Sequence, residues 1–140
     1  MNMDNTVEIR VRYADTDQMG VVYYANYFVW LEIARTEFLR QLGIDYKSIE
    51  EKERLSLPVI EAWCRYKAPA CYDDIVLIRT YLSQLRNTSL EFEYEIFNKK
   101  TNQLLAKAGT QHVFINSQRR PVKIPEKINS LLEKVVLSNK

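Results

Sequence analysis

The stretch NYFVWLEIARTEFLRQLG, residues 26–43, decides how the rest of the chain must be arranged. Tyr27, Leu31, Ala34, Phe38 and Leu42 recur at gaps of four and three, the spacing of one apolar face on an α-helix. Glu32, Arg35, Glu37 and Arg40 mostly fall on the opposite side. Asn26 is placed to cap the N-terminus, and Gly43 stands where a left-handed C-cap belongs. Upstream, Val7, Ile9, Val11 and Tyr13 alternate with Glu8, Arg10 and Arg12. That period of two predicts a strand with one wet face. Residues 14–22, holding Asp15, Asp17 and Gly20, form the loop that joins strand to helix.

Downstream of Gly43 a short polar helix is expected within residues 45–53. Four strand patterns come next, at residues 56–68, 75–85, 88–97 and 103–115, with a turn at 98–102. The third alternates best, with Leu90, Phe92, Tyr94 and Ile96 set against Glu91, Glu93 and Glu95. Pro121 and Pro125 break the chain before a last helix over residues 126–136. One strand, one long helix and four more strands do not alternate as a doubly wound fold does. The pattern predicts an α+β architecture with an antiparallel sheet against one long helix. A single helix covers one face only, so the other face or the sheet edge is expected to be covered by self-association.

The chain has 140 residues, which suits one domain over residues 1–140. Its 20 Lys+Arg stand against 18 Asp+Glu, and a net charge of +2 supplies no argument for nucleic acid. Cys64 and Cys71 are neither a CxxC pair nor part of a His cluster, and read as reduced thiols. One His beside two scattered Cys falls short of the four ligands zinc prefers, so no metal site is expected. No apolar run approaches the length of a membrane span, and residues 1–7 are polar without a signal-peptide pattern. These features together give the expectation of a cytoplasmic location.

Asp15, Asp17 and Gly20 spell D-x-D-x-x-G between a strand and a helix. Three readings compete for the two carboxylates. They cap the helix N-terminus, where negative charge is favoured by roughly 0.3–1 kcal/mol. They clamp a metal on a nucleotide-sugar, for which this chain has no phosphate loop. Or one is a catalytic carboxylate opposite free N–H groups that stabilise a developing oxyanion.

The run Tyr13-Ala-Asp-Thr-Asp-Gln-Met-Gly-Val-Val-Tyr-Tyr-Ala-Asn-Tyr27, continuing into Trp30-Leu31-Glu32, resembles the signature of the 4-hydroxybenzoyl-CoA thioesterase family. That family comprises small hotdog-fold hydrolases and includes the YbgC-type acyl-CoA thioesterases. The likeness extends more loosely through Pro58, residues 68–74 and residues 106–114. It implies an antiparallel sheet wrapped around one long central helix, and hydrolysis of an acyl-CoA thioester to free acid and CoA.

The resemblance also implies roles. Asp17 matches the catalytic aspartate, acting as nucleophile on the thioester carbonyl or as general base for a water. The backbone N–H of Tyr24 matches the group that polarises the carbonyl. Many YbgC-like members carry His at that position, and a backbone donor survives the change to Tyr. Gly20 lets the loop turn tightly, Asn26 and Tyr27 shape it, and Asp15 is read as structural. Glu32 matches a helix position where aromatic-substrate members recognise an acyl hydroxyl; a solvated helix-face Glu is the competing reading. Pro58 and Val59 begin the strand that lines the pocket opposite the helix. Tyr23, Trp30 and Trp63 are candidate pocket walls or plain core.

For the phosphates of CoA, Arg86 with Asn87, Thr88 and Ser89 matches the family's phosphate-contacting turn. Arg119, Arg120 and Lys123 match a second basic segment, and arginine suits phosphate through its two parallel donors. His112, the lone histidine, falls in a strand pattern and matches no catalytic position. No G-x-S-x-G elbow is present. The expected protein is a thioester hydrolase without metal or redox cofactor, a homodimer or homotetramer with its site at the subunit interface. The alternatives are hydrolysis of acyl groups borne by an acyl carrier protein, and a non-catalytic acyl-thioester-binding module.

Overall fold

The helix forms where the spacing predicts it. In the computed structural model, which describes residues 5–137, α1 spans Asn26–Gln41 and buries Tyr27, Trp30, Leu31, Ala34, Phe38 and Leu39. Leu39 is buried where the periodicity favours Leu42, which is only half-buried. Gly43 adopts φ +89° and donates to the Arg40 carbonyl, while Ile44 N–H donates to that of Leu39. Those paired bonds are a Schellman closure, which needs the left-handed residue at this position.

Asn26 does not cap the helix. Ala25 holds the cap position, and Asn26 instead donates its side-chain amide to the Asp15 carbonyl at 2.8 Å. The preceding loop folds back against the first helical turn, so its carbonyl lies within reach of that amide.

Beneath α1 lies a five-stranded sheet of β1 (Asn5–Arg10), β2 (Val59–Tyr66), β3 (Ile75–Leu85), β4 (Ser89–Asn98) and β5 (Leu104–Val113). The strand order is β1-β3-β4-β5-β2 and every neighbouring pair is antiparallel. Val76, Ile78 and Leu82 of β3, Leu90, Phe92, Tyr94 and Ile96 of β4, and Ala106 and Ala108 of β5 are buried. Phe38 meets Phe92 edge-on at 5.6 Å between ring centres. Burying a side chain of that size stabilises the fold by roughly 1.5–3 kcal/mol. This is the hotdog fold: an antiparallel sheet wrapped around one long helix.

The polar segment after α1 forms α2 (Tyr46–Ser48) and a π-helical turn (Ile49–Glu53), and α3 spans Glu126–Glu133. β1 stops sooner than its alternation suggests. Tyr13 leaves the sheet in a 3-10 turn, because the Asp15 carboxylate takes the Arg12 N–H at 2.9 Å and closes the chain on itself. The polar residues 1–4, which carry part of the signal-peptide reading, lie outside the described residues.

The two ends of the sheet hold different candidate residues. Arg10, Ile75, Asn98 and Tyr66 mark one end, and Val59, Leu85, Ser89 and Val113 mark the other. From Val59 to Tyr66 the strand advances about 23 Å at the usual rise per residue.

Candidate active site

The two carboxylates of the D-x-D stretch are put to different uses. Asp15 is buried, with both oxygens on Arg12: Oδ2 accepts from its backbone N–H and Oδ1 from its guanidinium at 2.9 Å. Burial alone raises its carboxyl pKa, but the hydrogen bonds and charge of Arg12 outweigh that and hold it below the usual range. Its carbonyl accepts from Tyr23 N–H and from the Asn26 amide. Asp15 therefore ties the loop to the start of α1.

Asp17 is half-exposed. Its backbone closes a tight loop: its N–H donates to Val21 and its carbonyl accepts from Gly20, which sits at φ +81° where glycine is favoured. The carboxylate is engaged once, Oδ1 accepting from Met19 N–H at 2.8 Å. An apolar cleft of about 350 Å³ opens before it, lined by Asp17, Val22, Tyr24, Tyr27, Tyr66 and Pro69 among others.

Tyr24, just ahead of α1, and Tyr27, in its first turn, line the same cleft. Asn26, Tyr27 and Phe28 donate to Tyr23, Tyr24 and Ala25. The N–H groups of Tyr24 and Ala25 make no hydrogen bond among the described residues. Unsatisfied amides at a helix start attract a negatively charged oxygen. A carboxylate with an oxygen to spare, in an apolar cleft also lined by a residue whose amide is unspent, can attack a carbonyl or activate a water, and such an amide can hold the oxyanion that forms.

The remaining candidate residues do not gather there within one chain. Glu32 lines a separate cavity of about 150 Å³ with Arg35, Thr36, Leu39, Tyr46, Leu57 and His112. Pro58 and Val59 lie at the start of β2, the far end of the sheet from Tyr66 and Asp17. Arg86, Asn87, Thr88 and Ser89 form the β3–β4 turn at that same far end. Phe114 N–H donates to Thr88 and Ile124 N–H to Asn87, which brings the turn of Arg119 and Arg120 and the Lys123 segment alongside. Arg86 is already paired with Glu91 at 2.9 Å.

Of the three candidate aromatic walls, Trp30 is core, Tyr23 is exposed and Trp63 lies over Gly109 on β5. None of them lines the Asp17 cleft. His112 is buried and satisfied, with Nδ1 on the Leu57 carbonyl at 3.1 Å and Nε2 on Thr110 Oγ1 at 2.9 Å. Burial, chiefly, pushes its pKa down to about 4.

Sequence reasoning missed Tyr66. Its hydroxyl donates to the Tyr24 carbonyl at 2.9 Å and its ring walls the Asp17 cleft. The only signal for it was membership of a strand pattern. Among the described residues no three His, Cys, Asp or Glu side chains gather as a metal site requires, and no helix is long and apolar enough to cross a membrane.

The fold and the relatives of this chain make it a thioester hydrolase of the hotdog type. Residues 11–132 match the model of the thioesterase-like superfamily, and the chain belongs to it. YneP of Bacillus subtilis is 38% identical over 111 residues, covering 79% of each chain. The acyl-CoA thioester hydrolase YbgC of Escherichia coli is 37% identical over 121 residues, covering 86% of this chain and 89% of YbgC. The crystal structure of Slr0204, a 1,4-dihydroxy-2-naphthoyl-CoA thioesterase from Synechocystis, superposes with a TM-score of 0.86 at 28% identity, covering 93% of this chain and 96% of that one.

Proposed function

We propose that this enzyme hydrolyses an acyl-CoA thioester to the free acid and CoA, with Asp17 as the reacting carboxylate and the Tyr24 amide as oxyanion donor. The observation that carries the reading is one apolar cleft lined by both a half-exposed, singly engaged Asp17 and Tyr24, whose amide is unspent. The carboxylate attacks the thioester carbon, or draws a proton from a water that does. Negative charge moves onto the carbonyl oxygen, the free N–H groups hold it, and the CoA thiolate leaves when the carbonyl re-forms. On the water route this gives the free acid directly; on the carboxylate route it leaves an acyl–Asp17 anhydride that a water then cleaves to the free acid and the regenerated carboxylate.

The enzyme works as a homodimer or a dimer of dimers. β2 is an edge strand, paired with β5 alone among the described strands, so one row of its backbone groups faces outward. Val59 and Ile60 on β2 and Val29 and Ile33 on α1 are exposed apolar side chains. Antiparallel pairing of two β2 strands about a two-fold axis covers this edge. It also sets the Tyr66 and Asp17 end of one chain beside the Val59 end of its partner. Pro58, Val59 and Glu32 then reach the acyl group from the partner, and the basic turns at 86–89 and 119–120 reach the phosphates of CoA. An acyl group carried by an acyl carrier protein is the second reading, favoured by the half-exposed position of Asp17, which leaves it reachable by a protein-borne thioester.

The test is turnover of a panel of short, long and aromatic acyl-CoA thioesters, and of the same acyl groups on carrier protein, by the wild-type chain and Asp17→Asn. Hydrolysis of CoA thioesters that drops about 10²–10⁴-fold in the variant supports the reading. Wild-type rates in Asp17→Asn overturn it.

A further inference from the structure

Tyr66 joins the edge strand to the start of α1 by a hydrogen bond from its hydroxyl. It lies on the last residue of β2, and its Oη–H donates to the Tyr24 carbonyl, 42 residues earlier in the chain, at 2.9 Å. The same carbonyl accepts from Tyr27 N–H at 3.3 Å, a long first-turn bond. The Tyr66 ring stands edge-on to Tyr24 at 6.3 Å and to Tyr27 at 5.0 Å. It also walls the cleft that contains Asp17.

We infer that Tyr66 is a positioning residue for hydrolysis: its hydroxyl pins the Tyr24–Ala25 peptide and so aims the free Tyr24 and Ala25 amides, just ahead of α1, at the thioester oxygen. The inference rests on the catalytic reading proposed above. The peptide group is planar, so fixing its oxygen fixes the direction of the Ala25 N–H as well. The Tyr24 N–H lies on the preceding peptide and is held through one Cα. Such a link matters because a first helical turn frays easily, while misplacing a reacting group by about 1 Å costs on the order of 10²-fold in rate. The hydroxyl keeps its proton for the task. Burial first, then the neighbouring Cys64 and the tyrosines, push the Tyr66 pKa up.

Tyr66→Phe removes the donor and leaves the ring packed against Tyr24 and Tyr27. On benzoyl-CoA or octanoyl-CoA, whichever the wild-type enzyme turns over faster, kcat is expected to fall about ten- to hundredfold while KM changes less than about threefold. The thermal midpoint should move by no more than about a degree or two. A second readout separates aim from packing. With ¹³C-carbonyl benzoyl-CoA bound to Asp17→Asn, the infrared carbonyl stretch lies below its value in water because the amides polarise it. Adding Tyr66→Phe moves that band back toward the free value. A kcat within twofold of wild type, or an unmoved carbonyl band, overturns the positioning role. If Tyr66→Phe is fully active while Asp17→Asn is dead, the positioning role alone is wrong. If Asp17→Asn itself turns over at wild-type rate, the catalytic reading falls with it.

Discussion

Asp17 accepts the backbone N–H of Met19 through a single carboxylate oxygen, and that one bond shapes the turn while leaving the second oxygen unspent. The two tasks, turn and chemistry, are separable by substitution. An asparagine at this position retains an acceptor for Met19 but has no negative charge to attack a carbonyl or take a proton. Asp17→Asn is therefore expected to unfold within about 0.5 kcal/mol of wild type and to lose activity. Asp17→Ala also deletes the turn bond, worth about 1 kcal/mol. Urea titration of both variants beside a thioesterase assay checks the split; equal stability losses in the two would contradict it.

The free edge of β2 gives a second expectation. Ile60 is 55% exposed on that edge, where a lysine is well solvated in a single chain. Ile60→Lys should leave the fold intact and shift the enzyme from dimer to monomer in sedimentation velocity. Because Pro58, Val59 and Glu32 lie away from the Asp17 cleft within one chain, activity should fall with the dimer. A monomeric variant with full activity would show that one chain suffices.

Gly109 lies under the Trp63 indole so closely that an added Cβ would fall 2.5 Å from its Nε1. Arg65 is held over that ring, its guanidinium carbon 4.8 Å from the centre, which limits how far the ring can lift. Gly109→Ala should destabilise the protein by roughly 1–3 kcal/mol, the usual cost of overpacking. Chemical denaturation measures it, and the double variant Gly109→Ala/Trp63→Leu should recover part of the loss.

His112 predicts a pH dependence of stability. Its folded-state pKa of about 4 lies below the 6.5 of an unfolded histidine. As pH falls below 6.5 the unfolded chain takes up a proton that the folded chain refuses, so stability drops between pH 6.5 and 4. The loss between pH 7 and pH 5 amounts to about 2 kcal/mol. His112→Gln, less stable at pH 7, should lack that part of the slope. An unchanged slope in the variant would assign it to carboxylates instead.

The hydrogen bonds give His112 a direction. The Leu57 carbonyl only accepts, so a neutral ring donates from Nδ1 and accepts at Nε2 from the Thr110 hydroxyl, which in turn accepts from Tyr94 at 2.7 Å. Nothing in the strand alternation distinguished this arrangement from an ordinary buried histidine.

Much of the fold was legible in the sequence. The α1 face, the β3 boundaries, the left-handed Gly43 and the polar turn at 98–102 each come from periodicity or from a residue with a special backbone preference. These are local properties, set by which side of an element meets water. The N-cap was misread for the complementary reason: the partner of Asn26 is Asp15, and that depends on how the loop folds back. The candidate site was legible as residue types near Asp17 and Tyr24, because loop and helix start are adjacent in sequence.

What the sequence determined by itself is the alternation of wet and dry faces, which specifies one long helix and five strands, and the D-x-D loop ahead of that helix. The tertiary structure decided the rest: that Tyr66 reaches Tyr24, that Trp63 covers Gly109, and that Asp17 lies at the opposite end of the sheet from Pro58 and Arg86. All three depend on the strand order β1-β3-β4-β5-β2, which sends the second strand of the chain to the far edge of the sheet. Local periodicity reports burial and not neighbours. Strand order is settled only when the whole sheet closes over the helix and each apolar face finds its partner.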